Sequence, residues 1–285
     1  MIYGLLSALS FSGSQILDRH LMFFQKLDYL RAIAINEIMS LLILGIASLF
    51  FVQWDFSLFT SGILLAIVAL IIFSSIDFLC YFKGLSTISV NEAQPYIMFS
   101  FFFTVILSVL IFPQEINNTA HLVTAIIASS VLTLSNIEKK HLVISKGAII
   151  LLASSVCLAI SKIFARFLVD TIDPIQLSVI NALFLSVVLL IYLKPNFSNI
   201  TKLNWFTAFL STSTWILSLI FEYASYGQIG IINTIIILSS VPLIATIMDA
   251  ILLKERLRKR TLLATIIITA CIIYTILSVP EVAVL

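Results

Sequence analysis

The chain has 285 residues, of which 61% are hydrophobic and 11% charged, and its mean hydropathy is +1.16. Soluble domains carry about 45–50% apolar and about 25% charged residues, so a water-soluble globular, disordered, coiled-coil or nucleic-acid-binding protein is excluded and a lipid-embedded one is indicated. The formal net charge of +2 is uninformative by itself, whereas the positions of the charges are not.

Continuous apolar runs, such as 63–73 and 261–277, predict membrane-spanning α-helices and not the short alternating strands of a β-barrel. A span of about 20 residues with a short loop takes about 28 residues, so this length holds about ten spans. Read from one polar break to the next, they cover 2–18, 30–52, 61–82, 90–111, 119–135, 147–168, 174–193, 204–225, 229–253 and 261–278. The first begins at Ile2 with no basic segment ahead of it, so no cleavable signal is expected. Polar groups then recur at set depths. Span one ends through Ser14 and Gln15, span two opens near Asn36 and Glu37, span three carries Asp77 late, and span four opens with Glu92 and Gln94. The longest polar stretch, 135–146, follows span five. Lys162 lies late in span six, with Arg166 one turn further at the boundary, and Asn181 lies early in span seven. Span eight holds a Ser/Thr cluster at 211–214 ahead of Trp215 and Glu222, and Asn233 lies early in span nine.

The order of these features repeats. Ser14, Ile16, Arg19 and Leu21 recur as Ser161, Ile163, Arg166 and Leu168 at an offset of 147, and Ile35-Asn36 recurs as Ile180-Asn181 at 145. At an offset of 140, Glu115 falls on Glu255, and the small pair Ala125/Ser129 falls on Thr265/Thr269. This divides the chain into a five-span repeat at 1–135, a linker at 136–146 and a second repeat at 147–285. Five crossings are an odd number, so the second repeat enters the membrane from the opposite side. The expected fold is therefore an all-α integral membrane protein of ten transmembrane helices, built as two inverted five-helix repeats. Fourteen of the 16 basic residues fall in the odd-numbered loops, five of them between Lys254 and Arg260. By the positive-inside rule those loops are cytoplasmic, which puts both termini on the outer side of a cytoplasmic membrane.

The run from Pro242 to Glu255, and the shorter Pro113-Gln-Glu115 at the corresponding place in the first half, resemble the helix ends of EamA-type ten-helix proteins of the drug/metabolite transporter superfamily. Phe102 stands where a first-half proline is expected, and Asn36 and Asn181 stand where relatives often have arginine. The resemblance implies a secondary carrier with a cavity between spans one to four and six to nine, with export favoured over uptake. Glu115 and Glu255 are read as helix-end caps.

Ionisable groups inside spans are costly and point to function. The cavity or gating candidates are Gln15, Asn36, Glu37, Asp77, Glu92, Lys162, Asn181, Trp215, Glu222 and Asn233, with Lys162 and Glu222 at depths suited to an ion pair. Four carboxylates against one lysine favour an amino-acid-like, cationic or zwitterionic small molecule over a phosphorylated one, which needs cationic clamps. Glu37 and Asp77 are candidates for proton or ion coupling, because a carboxyl in low dielectric can be carried neutral. No catalytic constellation is present. His20, His121 and His141 are dispersed, and Cys80, Cys157 and Cys271 form no metal or redox motif. The absence of a P-loop excludes nucleotide hydrolysis in this chain. The expectation is a transporter with no cofactor or metal; a membrane enzyme or a channel is the alternative.

Overall fold

The computed structural model describes residues 1–52, 54, 56–87, 90–113, 123–124, 126–127, 145–194, 197, 200–241, 244, 266–267, 270–271 and 273–274. Among these residues there is helix and no strand. Seven main helices follow in chain order: α1 Ile2–Arg19, α2 Tyr29–Phe51, α3 Ser61–Leu85, α4 Val90–Ile111, α5 Lys146–Leu168, α6 Pro174–Leu193 and α7 Lys202–Leu238. Five of them, α2, α3, α5, α6 and α7, are long and apolar enough to cross a membrane. The expected spans five and ten, the linker, Glu115, Glu255 and the basic run near residue 256 fall largely or wholly outside the described residues.

Local chemistry sets the helix ends. Asp173 precedes Pro174 and accepts from the backbone N–H groups of Ile175 and Gln176, at 2.8 and 3.3 Å, which combines a side-chain cap with proline at the first helical position. Ser145 caps α5 through the N–H of Ala148 at 3.2 Å, and Thr201 and Asn204 form a reciprocal capping box at the start of α7. Two departures from the expected spans matter for the site. A π-helical turn, His20–Phe24, continues α1 past its expected end at residue 18. The eighth span and the start of the ninth meet end to end in α7 with a kink at the non-helical Gly230, in place of a loop at 226–228.

Each half packs mainly on the other. α1 lies along α7, α5 lies along α3 and α4, and α2 packs against α6. The α1–α7 seam is a stripe of small residues, Gly4, Ser7, Ala8 and Ser12, at helical spacing. Ser7 and Ser218 each donate to the other's backbone carbonyl, at 2.9 and 3.1 Å, and Ser12 donates to the carbonyl of Val241 at 3.0 Å. On the α3–α5 seam, an added Cβ at Gly84 would sit 2.5 Å from Cγ and Cδ2 of the fully buried Leu151. Overpacking of this kind costs about 1–3 kcal/mol, against about 1 kcal/mol gained in helix propensity. Gly84→Ala is therefore expected to lower the thermal unfolding midpoint in detergent, and an unchanged midpoint would mean that Leu151 yields freely.

Burial differs from that of a soluble protein. The core is largely apolar, but many polar groups, among them Ser12, Ser14, Asn36, Glu37, Thr104, Asn181 and Ser186, are buried too, while Ile2, Leu9, Leu49, Phe50, Leu65, Phe184 and Ile191 are exposed. An apolar outer surface on this scale matches hydrocarbon and not water.

Candidate functional site

The polar interior surrounds a cavity of about 130 Å³, lined by α1 to α7 and so by both halves. That volume holds several water molecules, at about 10–15 Å³ for one. Eight of the ten expected residues line it: Gln15, Asn36, Glu37, Asp77, Lys162, Asn181, Trp215 and Glu222. Residues of both halves share this one space. The side chain of Glu92 lies outside the described residues. Asn233 is not among the lining residues. Its Nδ2 donates to the carbonyl of Ile229 at 2.8 Å, and Thr234 Oγ1 donates to the carbonyl of Gly230 at 2.7 Å. Both carbonyls adjoin the break at Gly230.

Each buried acid has a defined partner. Lys162 Nζ on α5 donates to Glu222 Oε1 on α7 at 2.5 Å, Tyr226 donates to the same oxygen one turn further along α7, and the Lys162 ammonium sits 5.6 Å from the ring centre of Phe101. Asp77 on α3 accepts from Ser154 on α5 at 2.6 Å, and Glu37 on α2 accepts from Ser186 on α6 at 2.5 Å. The Asp77–Ser154 and Glu37–Ser186 bonds tie helices of the two halves together, while Lys162–Glu222 joins α5 to α7 within the second half; all are charge-assisted hydrogen bonds, the stronger kind.

A fourth acid, Asp18, escaped the sequence reading. Its Oδ1 accepts from Ser211 of α7 at 2.6 Å and from Asn36 Nδ2 of α2 at 3.0 Å. It was placed at the edge of span one, but the π-helical turn carries the helix beyond it. The available signal was its spacing of three and four residues from Gln15 and Ser14, which puts all three on one helix face. Likewise, the offset of 145 that aligns Asn36 with Asn181 also aligns Asp77 with Glu222, Phe78 with Tyr223 and Tyr81 with Tyr226. The replacement of Tyr223 by Phe78 has a visible consequence. Asn181 Nδ2 donates to the Tyr223 hydroxyl at 3.0 Å, whereas Asn36 has no hydroxyl at the matching place and donates to Asp18 instead.

The rest of the lining mixes serine and threonine hydroxyls, such as Ser14, Ser40 and Thr212, with apolar and aromatic side chains, such as Phe11, Phe82 and Leu185, and Trp215 meets Phe78 edge to face with centroids 5.9 Å apart. Among the described residues, no group of three or more His, Cys, Asp or Glu is arranged to hold a metal ion. Acids bonded to hydroxyls and amides, beside aromatic walls, can hold and orient a small polar solute out of contact with lipid.

The sequence profile of the EamA-like transporter family matches residues 1–136 and 145–277. No curated protein matches the sequence. A solved structure described as "Crystal structure of protein" aligns over 97% of this chain and 96% of its own, with a TM-score of 0.70 and 13% identity, a likeness of fold alone.

Proposed function

The chain belongs to the EamA-like transporter family, and from that membership we propose that it is a secondary transporter moving a small cationic or zwitterionic organic molecule, amino-acid-like in size, across the cytoplasmic membrane. Members of this family are transporters rather than enzymes. In this reading the chain has ten transmembrane helices as two inverted five-helix repeats, 1–135 and 147–285, joined by 136–146, with both termini outside. The halves rock about the central cavity to give alternating access, and export is the favoured direction. Glu37 or Asp77 serves a coupled proton or ion.

The observation that carries this reading is the composition of the shared cavity. Lys162 is bonded to Glu222, and among the described residues three further carboxyls, Asp18, Glu37 and Asp77, take their hydrogen bonds from hydroxyl and amide groups. A phosphorylated solute would bring more negative charge to that surface and find no cationic fork. Purified protein in liposomes is expected to give saturable uptake of lysine-like or neutral amino-acid-like solutes and none of sugar phosphates. Preferred uptake of the phosphorylated class overturns the substrate reading, and fast non-saturating flux overturns the carrier reading in favour of a channel.

A further inference from the structure

Resting on the transport reading above, we propose that the cavity contains an ammonium subsite where α1 meets α2, built from Gln15, Asp18, Asn36, Glu37 and Ser40, and that it selects organic amines bearing only positive charge over zwitterions.

The subsite is joined by one contact. Gln15 and Asp18 share a face of α1, Glu37 and Ser40 share a face of α2, and Asn36 bridges the helices by donating to Asp18. Most hydroxyl and amide protons around the cavity are already committed. The hydroxyl protons of Ser154, Ser211 and Ser186 go to Asp77, Asp18 and Glu37, and those of Thr212 and Ser155 go to the backbone carbonyls of Asn36 and Tyr96. The amide protons of Asn36 and Asn181 go to Asp18 and Tyr223. Five buried side-chain atoms are without a partner among the described residues: Gln176 Nε2, away from the cavity, and Gln15 Oε1, Asn36 Oδ1, Asn181 Oδ1 and Ser40 Oγ. The last four side chains line the cavity, and their exposure is 6, 7, 3 and 2%.

Buried polar atoms are normally satisfied, and each exception calls for a cause. Three of these four atoms are pure acceptors. The orientation of the Asn36 amide is not interchangeable, because turning it would set its carbonyl oxygen against the Asp18 carboxylate. Acceptors in surplus call for a ligand rich in donors. Water supplies two O–H donors but no charge to set against Asp18 and Glu37, whereas a primary ammonium supplies three N–H groups and one positive charge. The same census argues against a zwitterion. Lys162 is the cation among the described lining residues, and its ammonium is already bonded to Glu222. A ligand carboxylate would therefore face Asp77 or the ammonium subsite itself. Phe11, Phe78 and Trp215 offer an apolar wall to the body of the amine.

The test is calorimetric titration of the full chain in lipid nanodiscs with 2-phenylethylamine, phenylalanine and 3-phenylpropanoate, which keep the same phenyl body and change only the charges. The amine is expected to bind at least tenfold more tightly than phenylalanine, and 3-phenylpropanoate is expected not to bind. Asp18→Asn, which keeps the side-chain size, is expected to weaken amine binding at least tenfold, and Gln15→Leu severalfold; thermal unfolding of each apo variant confirms folding, and the three-ligand comparison needs no variant. Phenylalanine binding as tightly as the amine overturns the ammonium-only inference while leaving the cationic-or-zwitterionic transport reading intact. Binding of 3-phenylpropanoate alone overturns both, and binding of none of the three overturns the inference, with saturable flux in liposomes still deciding the transport reading.

Discussion

Lys162→Met is expected to destabilise the protein by about 3 kcal/mol, the lower end of the cost of breaking a buried ion pair. The lower end applies because the Lys162 and Glu222 side chains keep 10% and 12% of their surface open toward the cavity. The loss arises less from the missing attraction than from what remains: Glu222 is left without its cationic partner in a largely enclosed site, with the Tyr226 hydroxyl as its remaining described donor. Removing both charges is therefore expected to be far milder. In Lys162→Met/Glu222→Met the two thioether chains fill similar volume and no unpaired charge is left, so most of the stability returns, within about 1 kcal/mol of the parent. Unfolding midpoints of the parent, both single variants and the double variant in one detergent measure the coupling directly. If the double variant loses as much as the sum of the singles, the pair contributes no coupling and the contact between α5 and α7 rests on packing alone.

Much of the fold was legible because lipid imposes a simple code. Long apolar runs set α2, α3, α4, α5 and α6 to within a few residues of their expected bounds, since each must satisfy its own backbone across hydrocarbon. The code fails where polarity and helix geometry part company. Arg19 and His20 look like the start of a loop, yet the backbone winds on as a π-helical turn, and Asp18 thereby becomes an interior residue. Gly227 and Gln228 look like a loop between spans eight and nine, yet α7 runs through them and breaks two residues later. The eight lining residues were legible as polar groups at depth, because an ionisable or amide group in a span has few reasons to be there. Their partners were not. Ser154 and Ser186 are unremarkable serines in apolar helices until the packing of α5 on α3 and of α6 on α2 sets them against Asp77 and Glu37. Asn233 shows the converse: its polarity is used by its own helix, four residues back, at a break that no periodicity marks.

Gly230→Val is expected to cost about 3 kcal/mol, near the top of the range for forcing a side chain into a backbone region open essentially to glycine. Gly230 has φ 77° and ψ 168°, and among the described residues it is the one non-helical position within α7. A Cβ there clashes with the backbone whatever space surrounds it, and a β-branched residue is the worst case. Two local responses are available to the chain, and both disturb the site. If the backbone relaxes toward helical angles, the two limbs of α7 straighten. Thr234 then leaves the Gly230 carbonyl and Ser225, to which it is now bonded at 2.7 and 2.8 Å. If the limb before the break shifts instead, Tyr226, one turn ahead of Gly230, is drawn away from Glu222 and the ion pair with Lys162 loosens. Combination with Lys162→Met separates the two: together the substitutions are expected to cost less than their sum if the second response dominates, and the full sum if the first does. Unfolding midpoints of the two single variants and the combined one distinguish these cases. A Gly230→Val protein as stable as the parent would show that the break in α7 is not held by the backbone angles of this glycine.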